Sequence, residues 1–239
     1  MRLLSDRVKK RGESILKIEY LLEMNAAAYD AVKAGFHLGM TEKDVETIIF
    51  NTYKSICGNP FSFCGDIVGG KRSANMEGEA GSYVLQPGDT LILDLQPQID
   101  SVFCDTTRTF FIGEPGNEVR RAYSHVKNTL SQLESFVKPD IKVCDVYSEM
   151  NRFLEQYGYN CPHHAGHIIG KNRLIFPEFL PEVPDIVKVG DTIALEPGFY
   201  RKNCFGIRLE NNYQVTPSGM LRLFDYTSDI EDFIIEIYK

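Results

Sequence analysis

Between residues 12 and 35 the apolar side chains Ile15, Leu16, Ile18, Leu21, Leu22, Ala26 and Ala27 recur at the spacing of one helix face, and Gly35 ends the run. Thr41-Glu42-Lys43-Asp44 has the form of a capping box, in which side-chain oxygens satisfy free amides at a helix start. It opens a second predicted helix that runs to about Ser55. Residues 117–137 and 143–157 carry the amphipathic pattern again, separated by a break at Pro139-Asp140. The remainder is strand-like and rich in turns, which predicts an α+β chain. No low-complexity linker divides it, so a single domain over residues 1–239 is expected.

The pattern echoes itself. Leu85-Gln86-Pro87-Gly88-Asp89-Thr90-Leu91-Ile92-Leu93-Asp94 parallels Val187-Lys188-Val189-Gly190-Asp191-Thr192-Ile193-Ala194-Leu195-Glu196, 102 residues later. Each copy runs Gly-Asp-Thr, three apolar residues, then an acid. Each follows a pair of predicted helices and continues into a second strand that ends in another acid, Asp105 or Glu210. A duplicated helix-helix-hairpin unit related by a pseudo-twofold axis is the simplest account.

Composition narrows the functional classes. At 239 residues the chain can bury about 70–75% of its unfolded surface. Its 26 Lys and Arg against 33 Asp and Glu leave a net charge of -7, which excludes the broad basic footprint of a nucleic-acid binder. No stretch approaches the ~20 apolar residues of a membrane span. The start Met1-Arg2-Leu3-Leu4-Ser5-Asp6 turns polar before a signal-peptide core can form, so a cytoplasmic protein is expected. The six cysteines are scattered, without C-x-x-C pairs, and read as reduced thiols rather than a zinc cluster.

Asp94 and Glu196 each end an apolar triplet, the mark of an interior strand, and a buried unpaired carboxylate costs several kcal/mol. If the two units pack symmetrically, Asp94, Asp105, Glu196 and Glu210 converge. Charges that close cannot all remain ionised without a cation among them, and divalent metals prefer such oxygen ligands. His167, within Gly166-His167-Ile168-Ile169-Gly170, is a fifth candidate, where the glycines permit close backbone approach.

These residues carry a resemblance. Leu93-Asp94 through Phe103-Cys104-Asp105-Thr106-Thr107-Arg108-Thr109-Phe110 resembles the first metal hairpin of the pita-bread metallopeptidases, which include methionine aminopeptidases, aminopeptidase P, prolidase and creatinase. Gly166 to Gly170 resembles the segment of the family's single histidine ligand, and Leu195-Glu196-Pro197-Gly198 its Glu-Pro-Gly. Gly206-Ile207-Arg208-Leu209-Glu210-Asn211 resembles its last glutamate, with the arginine typical of the prolidase, aminopeptidase P and creatinase branch. The resemblance implies a pita-bread fold with a curved, mainly antiparallel sheet. It also implies two divalent ions, manganese first and otherwise cobalt, zinc or iron, on Asp94, Asp105, His167, Glu196 and Glu210. By the same resemblance the substrate is a short peptide or small amide, with Xaa-Pro peptides as the default. Glu196 would serve as general base toward a metal-activated water, and Arg208 would orient Glu196 or Glu210, or meet a substrate carboxylate. A homodimer is expected from the relatives, with no nucleic-acid or membrane partner.

The sequence also departs from the family. The branch keeps a histidine about 17 residues before the first aspartate, where this chain has Met76-Glu77, and another about seven after the metal histidine, where it has Leu174. His163 retains a third, and His164 beside it also qualifies as a pocket residue. Lys71, Arg72 and Glu77 are candidates to replace the missing groups. The N-terminal domain of larger relatives is not expected in this chain. The departures leave two alternatives open: a creatinase-like hydrolase or lyase of small molecules, and a binding member without catalysis.

Overall fold

The computed structural model describes residues 12–58 and 60–237, so the Met1–Asp6 segment lies outside the described residues. Helices α1 (Glu13–Gly35) and α2 (Glu42–Cys57) open the chain. The capping box forms as predicted: the Asp44 amide donates to Thr41 Oγ1 at 3.2 Å, and the Thr41 amide donates to Asp44 Oδ2 at 2.7 Å. On α1 the buried stripe runs through Leu21, Leu22, Asn25, Ala28, Tyr29 and Val32, leaving Ala26 and Ala27 half-buried. That follows from geometry, because the three-and-four step from Leu21 and Leu22 lands on Asn25, not on its neighbours.

Strands β1 (Ser62–Cys64), β2 (Ile67–Gly69), β3 (Thr90–Ile99), β4 (Val102–Phe103) and β5 (Thr106–Ile112) follow. Helices α3 (Asn117–Phe136) and α4 (Val143–Glu155) then lead into β6 (Gly166–Ile168), β7 (Thr192–Leu195), β8 (Gly198–Arg201), β9 (Phe205–Arg208), β10 (Asn211–Thr216), β11 (Gly219–Arg222) and β12 (Ile234–Ile235). One sheet runs β1-β3-β5-β12 with β2 and β4 also on β3, a second runs β11-β10-β7-β6, and β8 and β9 form a ribbon. Every pairing is antiparallel except β5 with β12, in keeping with the mainly antiparallel expectation.

The internal echo is structural. Before β3, Gly88 adopts φ 93° and the Asp89 carboxylate accepts from the Gln86 amide at 2.8 Å. Before β7, Gly190 adopts φ 95° and Asp191 accepts from Lys188 at the same 2.8 Å. Isolated bridges Thr41–Val84 and Lys142–Ile186 anchor the two turns at equivalent places. The repeated Gly-Asp-Thr is therefore turn chemistry: glycine for the left-handed residue, aspartate to satisfy a free amide, threonine to start the strand. Each turn sets the register of the strand that leads to its acid, Asp94 within β3 and Glu196 just past β7.

The main core is an apolar cluster joining both helix pairs to the sheets, with a small second cluster of Phe103, Ile169 and Ala194. Asn25 is a polar insert within the main core, donating to Leu95 O at 2.9 Å and Thr106 Oγ1 at 2.8 Å, which ties α1 to β3, the strand of Asp94, and to the start of β5 next to Asp105. No helix of the described residues is long and apolar enough to cross a membrane, and all six cysteines are free.

Candidate active site

The two halves are joined through short side chains on β5 and β10. The Asp105 amide donates to Asn212 Oδ1 at 3.1 Å, and Asn212 Nδ2 donates back to the Asp105 carbonyl. Thr107 Oγ1 donates to Glu210 Oε2 at 2.9 Å, while the Glu210 amide donates to the Thr107 carbonyl at 3.1 Å. Thr109 completes the ladder, accepting from the Arg208 amide at 3.0 Å and donating to its carbonyl at 2.9 Å. Arg108 is buried behind this seam and holds the Glu210 carbonyl at 2.8 Å. The Thr-Arg-Thr run thus positions the last glutamate across the pseudo-twofold seam.

With that register the candidate residues converge. His167 Nε2 stands 3.3 Å from Asp105 Oδ2 and 3.6 Å from both Glu196 Oε1 and Glu210 Oε1. The close packing that brings it there requires glycine: a Cβ on Gly166 would lie 2.1 Å from the Ala194 carbonyl oxygen. His167 Nδ1 faces the Ile168 carbonyl at 3.2 Å, leaving Nε2 for the carboxylates. Asp94, Asp105, His167, Glu196 and Glu210 are all buried.

Such a cluster is electrostatically incomplete. Burial and the neighbouring carboxylates push Asp94 up to about 7, with Arg208 opposing, and push Asp105 and Glu210 above the ordinary carboxylate range. Burial pulls His167 down, but Glu210 and Glu196 outweigh it and lift the imidazole to about 9. Glu196 is the exception: burial pushes it up, yet His164 and His167 prevail and hold it at about 2. Asp94 Oδ1, Asp105 Oδ1, Glu196 Oε1 and Glu210 Oε1, one oxygen from each carboxylate, are buried without a hydrogen-bond partner. Orphaned anionic oxygens beside an imidazole are the donor set a hard or borderline divalent cation takes, and two groups of ligand atoms, Asp105-His167-Glu210 and His163-His164-Glu196, each converge within 4.8 Å.

Asp94, Asp105, His167 and Glu196 line a cavity of about 230 Å³, together with Asp66, Met76, Glu77, Gln96, His163, His164, Ile175 and Arg208. His164 Nδ1 lies 3.1 Å from Glu196 Oε1. Arg208 does not reach Glu196 or Glu210 as an orienting group. Its Nη2 donates to Asp94 Oδ2 at 2.7 Å and Asp66 Oδ2 at 2.8 Å, and its Nη1 to the Met76 carbonyl at 2.7 Å and Tyr200 Oη at 3.1 Å. Tyr200 Oη, accepting from Arg208, donates in turn to His163 Nε2 at 2.8 Å, so His163 carries its proton on Nδ1 and gives it to the His164 carbonyl at 2.8 Å. Both ring nitrogens of His163 are engaged by protein, and burial lowers it to about 4.

Of the three candidates to replace the missing histidines, Glu77 alone lines the cavity. Arg72 pairs with Glu42 and the Glu79 carbonyl, and Lys71 is exposed. Leu174 is 58% exposed, with its carbonyl accepting from the Gly170 amide at 2.8 Å, while Ile175 beside it reaches the cavity. Sequence reasoning missed Asp66, Tyr200, Thr107 and Asn212. None belongs to the repeated acid pattern, and each has a partner that lies far from it in the chain, Arg208 for Asp66, His163 for Tyr200, Glu210 for Thr107 and Asp105 for Asn212.

Comparison with known proteins agrees with the geometry. The pattern of metallopeptidase family M24 matches residues 17–217. An uncharacterized peptidase of Staphylococcus aureus strain MW2 is 26% identical over 219 residues, covering 91% of this chain and 62% of the relative, so this chain spans about three-fifths of such proteins. The X-Pro aminopeptidase of Thermotoga maritima superposes with a TM-score of 0.88 at 25% identity, covering 96% of this chain and 67% of that one. The prolidase of Pyrococcus furiosus superposes at 0.84 and 25% identity, covering 91% and 65%. The α+β duplicated fold is the pita-bread fold of these structures. With the family pattern spanning most of its length, the chain belongs to metallopeptidase family M24.

Proposed function

We propose that this chain is a catalytic domain of a metal-dependent hydrolase that cleaves a short peptide or peptide-like amide, with Xaa-Pro bonds as its reference substrates. The observation that carries the reading is the set of four orphaned carboxylate oxygens beside His167, which fits divalent ions and leaves the metal-free cluster short of positive charge. Asp94, Asp105, His167, Glu196 and Glu210 would hold two such ions, manganese first, which when bound supply Lewis acidity toward a water and the scissile carbonyl. Glu196, ionised at neutral pH, accepts the proton released from the attacking water. Arg208 and Thr107 hold Asp94 and Glu210 in place. His163 acts through Tyr200 and the His164 main chain rather than on the substrate, and His164 is the imidazole next to Glu196.

The X-Pro aminopeptidase and prolidase likenesses support the peptide reading. A second reading, a small-molecule hydrolase or lyase of the same fold, is favoured by Glu77 and exposed Leu174 at positions where the branch's peptidases carry histidine. Hydrolysis of Xaa-Pro dipeptides and tripeptides by manganese-loaded protein, with metal stoichiometry measured in the same sample, separates the two. Cleavage abolished by Asp105→Asn supports the peptidase, and no cleavage at two metals per chain supports the small-molecule enzyme.

A further inference from the structure

The charge a substrate meets in the cavity depends on which lining groups remain free. Among the described residues, Arg208 is the sole Lys or Arg that lines it. A guanidinium has five N–H donors, and here all five are taken: two by Asp66 and Asp94, two by the Met76 carbonyl and Tyr200, and the Nε hydrogen by Thr107 Oγ1 at 3.3 Å. Arg208 is 3% exposed, so a ligand would have to displace buried partners to reach it. Asp66 is equally committed, its second oxygen accepting from the Gly78 amide at 2.9 Å. Arg173, on the loop after β6, is tied to Ser62 Oγ and the Gln96 carbonyl and does not line the cavity.

Glu77 differs from all of these. It lines the same cavity, is exposed, and makes no hydrogen bond or ion pair among the described residues. The cavity therefore presents one uncommitted fixed charge outside the carboxylate–histidine cluster, and it is negative. A substrate carboxylate near Glu77 meets repulsion and no guanidinium donor, whereas an ammonium or guanidinium meets an available acceptor.

Resting on the hydrolase reading above, we propose that Glu77 makes this cleft selective for amides that carry a cationic group, a primary ammonium or guanidinium, and turns it against a free carboxylate in that position. Two sources share this chemistry, a peptide with a basic end group and a small acylated polyamine. An exposed pair contributes modestly, but attraction for one ligand and repulsion of the other act in the same direction, so the contrast between them reaches about tenfold. It shrinks as salt screens the pair.

The test uses the manganese-loaded protein and three Ala-Pro derivatives that share the N-terminal ammonium and differ only in the C-terminal group, which sets their charge class: carboxylate, neutral carboxamide and cationic 2-aminoethylamide. N-acetyl-1,4-diaminobutane against neutral N-butylacetamide forms the small-molecule arm. The expected kcat/KM order is cationic over neutral over carboxylate, with about tenfold between the extremes. Glu77→Gln should reduce the contrast to less than about threefold, and Glu77→Lys should reverse it. Preference for the diaminobutane derivative over the peptides assigns the small-molecule source, and the converse assigns the peptide. Calorimetric binding of the same compounds carries the same comparison whether or not they are cleaved. Charge order in binding without turnover would remove the hydrolase reading and leave this proposal standing. Turnover in which the carboxylate compound equals or exceeds the cationic one, or a contrast unchanged in both Glu77 variants, would overturn it.

Discussion

Arg208 Nη2 donates to Asp94 Oδ2 at 2.7 Å across 114 residues of sequence, so the second half of the duplicated fold fixes the acid of the first. The same guanidinium holds Tyr200 and two groups of the cavity lining, Asp66 and the Met76 carbonyl. Removing it orphans several buried acceptors at once. Arg208→Gln should cost about 3–5 kcal/mol of stability and lower metal content. Arg208→Lys should recover little, because an ammonium cannot span five acceptors in one plane. Thermal melts with metal analysis check both; wild-type behaviour of the lysine variant would show that the fork geometry is unimportant.

The burial of these carboxylates predicts an unusual pH dependence for the metal-free protein. Asp94 at about 7 binds a proton more tightly folded than unfolded, so the stability it contributes is complete below its unfolded value near 4 and is lost as pH rises through 7. His167 at about 9 extends the loss from its unfolded value near 6.5 upward through 9. Glu196 has the opposite sign, losing its contribution only as pH falls from about 4.5 toward 2. Melting temperature without metal should therefore fall between pH 5 and 8, by roughly 5–10 °C for a few kcal/mol in a chain of this size. Manganese should flatten the curve, since cations replace the protons. A metal-free melting temperature that rises over this range contradicts the assignment of the cluster.

Tyr200 links Arg208 to His163 through one hydroxyl. Tyr200→Phe leaves His163 Nε2 and one guanidinium hydrogen unsatisfied, a loss of about 1–3 kcal/mol. Metal content should stay at the wild-type level while turnover falls, because Tyr200 hydrogen-bonds His163 and Arg208 and none of the five proposed ligands Asp94, Asp105, His167, Glu196 and Glu210. An unchanged melting temperature together with unchanged turnover would remove the link.

In the proposed hydrolysis Glu196 has two roles, one oxygen toward the cluster and one proton to accept. Glu196→Gln cannot accept that proton, so turnover should drop by about 10²–10⁴ even in samples that retain metal. Near-wild-type rates at full occupancy would exclude Glu196 as the base.

What the sequence disclosed was what is local. Helix faces, the Thr41 cap and the paired Gly-Asp-Thr turns are written in neighbouring residues, and the duplication carried the four acids into view. The target of Arg208 was not legible, since spacing along the chain says nothing of which acid faces it across a seam; the reading offered Glu196 or Glu210, and the guanidinium goes to Asp94 and Asp66. Asp66 and Tyr200 escaped for the same reason. His163 was readable as a pocket residue, but the engagement of its Nε2 depends on a tyrosine 37 residues away.

In the proposed enzyme four buried carboxylates and His167 hold two metal ions for amide hydrolysis. The most direct measurement is metal stoichiometry by mass spectrometry of the manganese-reconstituted protein, with Xaa-Pro hydrolysis assayed on the same preparation, for wild type and Asp105→Asn. Wild type should hold about two ions per chain and cleave measurably, with both falling together in the variant. An Asp105→Asn protein that keeps both ions and full turnover would contradict this reading.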